Sequence, residues 1–252
     1  SQGLGAGQQE ESDYQRSMSK LEAAIYLFEL TDDADFKEYV DTNYTACHLI
    51  DWNYAYPFES FNQDMLLHYT NLSNATMSVK DHILEVYTNQ MLTGNDNMPA
   101  IETKKDPYMA YVKDYTWGSN SIKSRQANMF HSLSIHSSSS AEKAIRAASG
   151  YMHYMHGVNP LNIVYLSNMY DHGAENAVNQ FYHSWFTDGS TKWDRVGESI
   201  YGPAPGFLVG GPNPGYAPDN CCPDGCGSSG NNAVCDSEEL SPPTGQPDQK
   251  SY

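Results

Sequence analysis

The sequence predicts an all-α fold that ends in a long loop-rich region, and three observations carry that expectation. From about residue 12 to residue 156 apolar residues recur at helical spacing. No stretch alternates long enough to make a convincing core strand, so a parallel sheet is not expected. Beyond His156 lie 13 of the 19 glycines and 10 of the 13 prolines, so regular elements should be rare there.

Taken in order, the first helix is expected over residues 12–30, where Leu21, Ala24, Ile25 and Phe28 form one apolar face. Ser12 has the side chain and position of its N-terminal cap. A second helix is expected over 34–49 and a third over 57–70, the latter carrying Phe58, Phe61, Met65 and Tyr69 at helical intervals. Residues 73–92, with Val79, Ile83, Val86 and Tyr87, form the fourth, capped by Ser73. The fifth spans 119–136 through Ile122, Met129, Phe130 and Leu133, and the sixth spans 140–156 from Ser140 through Ala144, Ala148, Met152 and Met155. The following loops run too long for simple connectors, so they are expected to build a cleft. The densest segment, Pro203 to Gly215, sets prolines and glycines around Phe207, Leu208 and Val209 and so specifies a backbone shape; composition alone would also suit a linker.

Charge narrows the partners. The formal net charge is -17, from 31 acidic against 14 basic residues, with no local Lys/Arg cluster, which disfavours nucleic acid and anionic membranes. A neutral polysaccharide meets no such repulsion, and 19 tyrosines offer faces and hydroxyls suited to sugars. No apolar run approaches membrane-spanning length, so the chain is expected to be soluble, with any export signal removed. Cys221, Cys222, Cys226 and Cys235 crowd one Gly/Ser/Asn-rich loop. Two local disulfides would suit an oxidising compartment, while four thiolates holding a structural zinc is the alternative, against which the adjacent Cys221 and Cys222 count. Cys47 reads as a small buried apolar residue. Sequons at Asn43, Asn71 and Asn74 permit glycosylation in a glycosylating host.

Four segments, in order, carry a family resemblance. Leu21 to Asp33 looks like an Ala-rich helix ending in Thr-Gly-Asp, Tyr115 to Ser121 contains Trp-Gly-Ser-Asn, Tyr154 to Pro160 ends in Gly-x-Asn-Pro, and Pro203 to Asn213 contains Pro-Gly-x-Leu-Val-Gly-Gly-Pro-Asn. Together they resemble the catalytic domain of glycoside hydrolase family 9, the inverting cellulases and related β-glucanases. The resemblance implies an (α/α)6 barrel, here incomplete because about six helices are expected where a barrel needs about twelve. It also implies one domain over 1–252, with helical hairpins over 1–156 and substrate-cleft loops over 157–252.

The resemblance points to Trp117, beside Tyr115, as a sugar-stacking residue, with a core tryptophan as the alternative. His183 and Trp185 fall where the family carries His-His-Arg near the cleavage point; tryptophan replaces the arginine, exchanging a charged donor for a stacking surface. His183 is read as a substrate hydrogen-bond donor, with a loop-capping histidine as the alternative. Asp171, His172 and Glu175 are chemically suggestive, but a loop that merely hydrogen-bonds itself is the plainer reading. No catalytic residue is assigned. Inversion needs an acid and a base roughly 6.5–9.5 Å apart. The family's Asp-x-Gly-Asp and Asn-Glu segments do not occur here, and Asp188, Asp194, Glu198, Glu238 and Glu239 lie in no comparable context. No cofactor is expected: a calcium pair found in some members would align with Met18 and Ser19, and the nearby Glu10, Glu11 and Asp13 suit the positive end of a helix.

The leading expectation is therefore an internal and C-terminal part of a secreted or periplasmic β-1,4-glucan hydrolase. It would supply substrate-binding loops for β-glucan or cellooligosaccharide, with the remaining segments of the domain as its other partners, and would be inactive alone. A non-catalytic carbohydrate-binding protein is the alternative, and a helical domain without ligand a third.

Overall fold

A computed structural model describes residues 11–114, 118–180 and 189–212. The described residues are mainly helical, as expected: α1 Asp13–Thr31, α2 Ala34–Asn43, α3 His48–Asp51, α4 Ser60–Asn71, α5 Met77–Thr93, α6 Met98–Glu102, α7 Ser119–His136 and α8 Ala141–Met155. Two short strands follow, β1 Val164–Ser167 and β2 Ala177–Val178. The described residues divide into two compact units, one drawn from within 1–99 and 129–144, the other from within 100–128 and 145–252.

In the first unit α1 starts on a reciprocal cap. Ser12 Oγ accepts from the Gln15 amide at 3.1 Å while the Gln15 side chain accepts from the Ser12 amide at 3.0 Å, which satisfies two donors that the helix end leaves open. Met18, Leu21, Ala24, Ile25 and Phe28 are buried along one face, where α1 packs on α2 and α4. Each large apolar side chain so buried contributes about 1.5–3 kcal/mol before entropy is counted. The helix stops at Asp32, in a left-handed conformation at φ 55°, and Asp33 caps α2 by accepting from the Asp35 amide at 2.9 Å. Near the start of α1, the Tyr14 ring stacks on His48 at 3.7 Å and His48 on Trp52 at 3.3 Å. Glu59 fixes this stack by accepting from the Tyr14 hydroxyl and bonding His48 Nδ1, each at 2.8 Å.

Several boundaries differ from expectation. The helix expected over 34–49 ends at Asn43, turns through a 3₁₀ segment at Tyr44–Ala46, and breaks at Cys47, whose backbone is extended at ψ 134° before α3 begins. Cys47 is fully buried, as expected, and burial pushes its thiol up to about 11. Pro57 opens a 3₁₀ turn ahead of α4. Thr76, not Ser73, precedes α5, and the Ser73 hydroxyl faces Asn74 instead. The five-residue α6 has too few positions to show a period.

In the second unit Tyr151, Tyr154 and Tyr165 are buried, and Lys123 lies over the Tyr154 ring. Tyr151 donates to the Tyr111 carbonyl at 2.6 Å, and Tyr154 packs on Tyr108 and Tyr165. Gly150 lets α8 pass against Met109: a Cβ there would lie 2.5 Å from the Met109 carbonyl oxygen. A small parallel pair, β1 with β2, is present after all, too short to show alternation in sequence.

Candidate functional site

The second unit gathers three of the sequence motifs into one hydrogen-bonded assembly. Asn159 is buried at the end of α8. Its side-chain nitrogen donates to the carbonyls of Tyr154 at 2.7 Å and Ile163 at 2.8 Å, and its oxygen accepts from the amides of Leu161 at 3.1 Å and Ile163 at 3.4 Å. The side chain thereby ties the last turn of α8 to the chain entering β1. An Asn159→Ala change is expected to cost about 2 kcal/mol, lowering the melting temperature by roughly 4–8 °C. Asn159→Asp should rescue little, because a carboxylate cannot donate; parent-like melting of that variant would remove the bonding role.

The segment from Gly206 to Val209 lies antiparallel to β1. Ser167 N donates to the Phe207 carbonyl at 2.9 Å, Gly206 N to the Ser167 carbonyl at 2.8 Å, and Val209 N to the Tyr165 carbonyl at 3.1 Å. Ser167 Oγ also accepts from the Phe207 amide at 3.1 Å and donates to the Ala204 carbonyl at 2.6 Å. Asn168 donates to the carbonyls of Tyr201 at 3.2 Å and Pro203 at 2.7 Å. The Pro/Gly segment is thus pinned along its described length, unlike a linker.

Its far end is held by the start of α7. The Asn120 amide donates to the Gly210 carbonyl at 2.9 Å, Asn120 Nδ2 to the Val209 carbonyl at 3.0 Å, and Ser119 Oγ to the Pro212 carbonyl at 2.7 Å. Gly211, at φ 88°, sits against this asparagine. Asn120 is fully buried, and its Oδ1 has no partner among the described residues.

These contacts link Trp-Gly-Ser-Asn, Gly-x-Asn-Pro and Pro-Gly-x-Leu-Val-Gly-Gly-Pro, sequence segments up to about 90 residues apart. The profile of glycosyl hydrolase family 9 matches residues 5–239. The chain belongs to that family. No curated protein matches the chain. The membership makes this a glycoside hydrolase chain of cellulase type, and its helical character agrees with the family's (α/α)6 class.

Family 9 membership also gives meaning to local departures. Asp32 takes the left-handed conformation at the position where the resembled Thr-Gly-Asp carries glycine, and its carboxylate holds Asn74 Nδ2 at 2.9 Å. Met18 is a core residue of the first unit, buried with Leu21 and Ile25 on the inner face of α1. Asp13 bonds Arg16 within the first turn.

Trp117, Tyr115, His183 and Trp185 lie outside the described residues, as do Asp188, Glu238, Glu239 and the cysteines Cys221, Cys222, Cys226 and Cys235. The residues flanking 115–117 and 181–188 are described. Trp117 directly precedes Gly118 at the start of α7. The two ends of the segment carrying His183 and Trp185 meet on one carboxylate: Asp194 accepts from Gln180 Nε2 at 2.9 Å and from the Gly189 amide at 3.0 Å. The sequence alone gives Asp194 no defined role; in the structure it clamps residues 180 and 189. Glu198 pairs with Arg195 at 3.2 Å, and Asp171 and His172 are exposed on a 3₁₀ turn.

Proposed function

We propose that this family 9 chain takes part in hydrolysis of β-1,4-glucosidic bonds in cellulose or a related β-glucan, with inversion, by supplying loops that bind the substrate. The observation that carries the reading is the hydrogen-bonded union of α7's start, β1 and the Gly206–Pro212 segment, because it gives a rigid backbone to the sequence neighbours of Trp117. A β-glucan presents flat C–H faces and hydroxyl edges, so Trp117, Tyr115 and Trp185 serve as stacking surfaces and His183 as a hydrogen-bond donor. The acid and base belong to Asp-x-Gly-Asp and Asn-Glu segments that these 252 residues do not contain, and they complete the domain.

The decisive measurement follows cellohexaose cleavage by the complete domain with NMR of the newly formed anomer. The first product is expected as the α-anomer, which inversion requires. Initial β-anomer would overturn the mechanism, and binding without cleavage would favour the carbohydrate-binding alternative. Replacing Trp117 and His183 together with alanine is expected to weaken cellohexaose binding at least about tenfold. Unchanged affinity would remove both residues from the site.

A further inference from the structure

We propose that Trp193 and Tyr201 form a second sugar-stacking platform, contributed by the turn-rich segment 189–202, which binds a pyranose ring of a neutral β-glycan. The two rings stack on each other at 4.8 Å between centroids and 27° between planes, yet Trp193 remains 48% and Tyr201 60% exposed. Each side chain covers part of its surface in the stacked pair and leaves about half or more of it in solvent, where it can meet a ligand.

The backbone beneath them is fixed by hydrogen bonds. The Tyr201 amide donates to the Lys192 carbonyl at 2.8 Å and the Ile200 amide to the Thr191 carbonyl at 3.1 Å, which brings the two aromatic positions side by side. Ser190 Oγ accepts from the amides of Lys192 and Trp193, each at 3.2 Å, and Ser199 Oγ accepts from the Gly202 amide at 3.1 Å. Mutual stacking and this pinned backbone restrict the side chains before ligand arrives, so binding need order little.

The surroundings select the ligand class. Thr191 and Lys192, adjoining Trp193 in the chain, are exposed and bring a hydroxyl and an ammonium to the same segment, groups that can bond the hydroxyl edge of a pyranose. A net charge of -17 discourages polyanions and leaves neutral sugars unopposed. The platform is also continuous with the elements already described. Asp194, next to Trp193, joins residues 180 and 189, while the Tyr201 carbonyl accepts from Asn168 beside the Gly206–Val209 pairing. The identity of the glycan as a β-1,4-glucan rests on the function proposed above; the platform itself rests on the ring geometry.

The test measures binding of cellohexaose and of xylohexaose to the complete domain by calorimetry. Trp193→Ala is expected to weaken binding of the oligosaccharide that the parent holds by about tenfold, and Trp193→Phe, which keeps a ring, to retain most of the affinity. A folded Trp193→Ala variant that binds cellohexaose within about twofold of the parent would overturn the platform and leave the glucanase reading intact. If the parent binds xylohexaose alone and Trp193→Ala weakens it, the platform stands and the glucan assignment falls. If the parent binds neither sugar, both readings fall. Should the alanine variant fail to fold, Trp193→Phe decides by emission: loss of part of the ligand-induced tryptophan signal supports the platform, and an undiminished signal overturns it.

Discussion

Gly211→Ala is expected to lower the melting temperature by about 10 °C, corresponding to roughly 3 kcal/mol, and to weaken oligosaccharide binding with it. A Cβ at residue 211 would lie 2.4 Å from Asn120 Cγ, 2.6 Å from its Oδ1 and 2.7 Å from its Nδ2. The asparagine has little freedom to yield, being 0% exposed and bonded to the Val209 carbonyl through the same amide group. The φ of 88° adds a backbone penalty that any L side chain incurs. A double-mutant cycle separates the two contributions. In an Asn120→Ala background the steric part disappears, so Gly211→Ala should cost about 1–2 kcal/mol there. An equal cost in both backgrounds would show that the conformation alone, not the approach of Asn120, selects glycine.

That contact also shows where sequence reading reaches its limit. Helices with long apolar periods were legible: α7 occupies the expected 119–136, α1 and α8 fall within a residue of expectation, and the Ser12 cap is present. Their signals are local, because a helix bonds residues four apart and repeats its buried face every turn. The break at Cys47 was not legible, because apolar residues on both sides keep helical spacing while the backbone between them is extended. Nor were β1 and β2, whose four and two residues give alternation no room.

The candidate site divides in the same way. The sequence marked Trp-Gly-Ser-Asn and the Pro/Gly segment as unusual, but not that Asn120 and Ser119 bind the carbonyls of the other. Such pairing over about 90 residues leaves no local pattern, since any carbonyl accepts from any donor. The sequence offers Asp194 as a carboxylate but not its role, for a related reason. Set between Trp193 and Arg195 it resembles a surface acid, and only the fold brings residues 180 and 189 to its two oxygens. Trp193 and Tyr201 are eight positions apart on irregular backbone, where no periodicity predicts that two rings will stack.

Lys123→Ala is the other substitution with a large expected effect, a loss of about 3–5 kcal/mol and roughly 10 °C in melting temperature. The lysine is 2% exposed, donates to the Ala110 carbonyl, lies 3.7 Å from Asp106 and sits 4.2 Å from the centre of the Tyr154 ring. Removing it takes the cation from the Asp106 carboxylate and a donor from a buried carbonyl, and leaves a cavity among Tyr154 and its neighbours. Lys123→Met fills most of that volume without charge and is expected to cost less. The comparison of parent and methionine variant also has a pH signature. Burial lowers the Lys123 ammonium from 10.5 to about 8, against the opposing pull of Asp106. Below pH 8 the folded and unfolded chains both carry the proton, and the cost of burying it is fully present. Between pH 8 and 10.5 the folded state has released a proton that the unfolded state still binds, so the parent gains stability with rising pH, by at most about 3 kcal/mol. The buried hydroxyls of Tyr87 and Tyr151, held above their ordinary value, oppose that gain above pH 10, but they are common to both proteins and cancel in the difference. Denaturant unfolding of the two proteins at pH 7, 8, 9 and 10 should therefore show the parent rising relative to Lys123→Met. A difference that stays flat across that range would mean that the ammonium titrates near its ordinary value, with Asp106 and the Tyr154 ring compensating its burial in full.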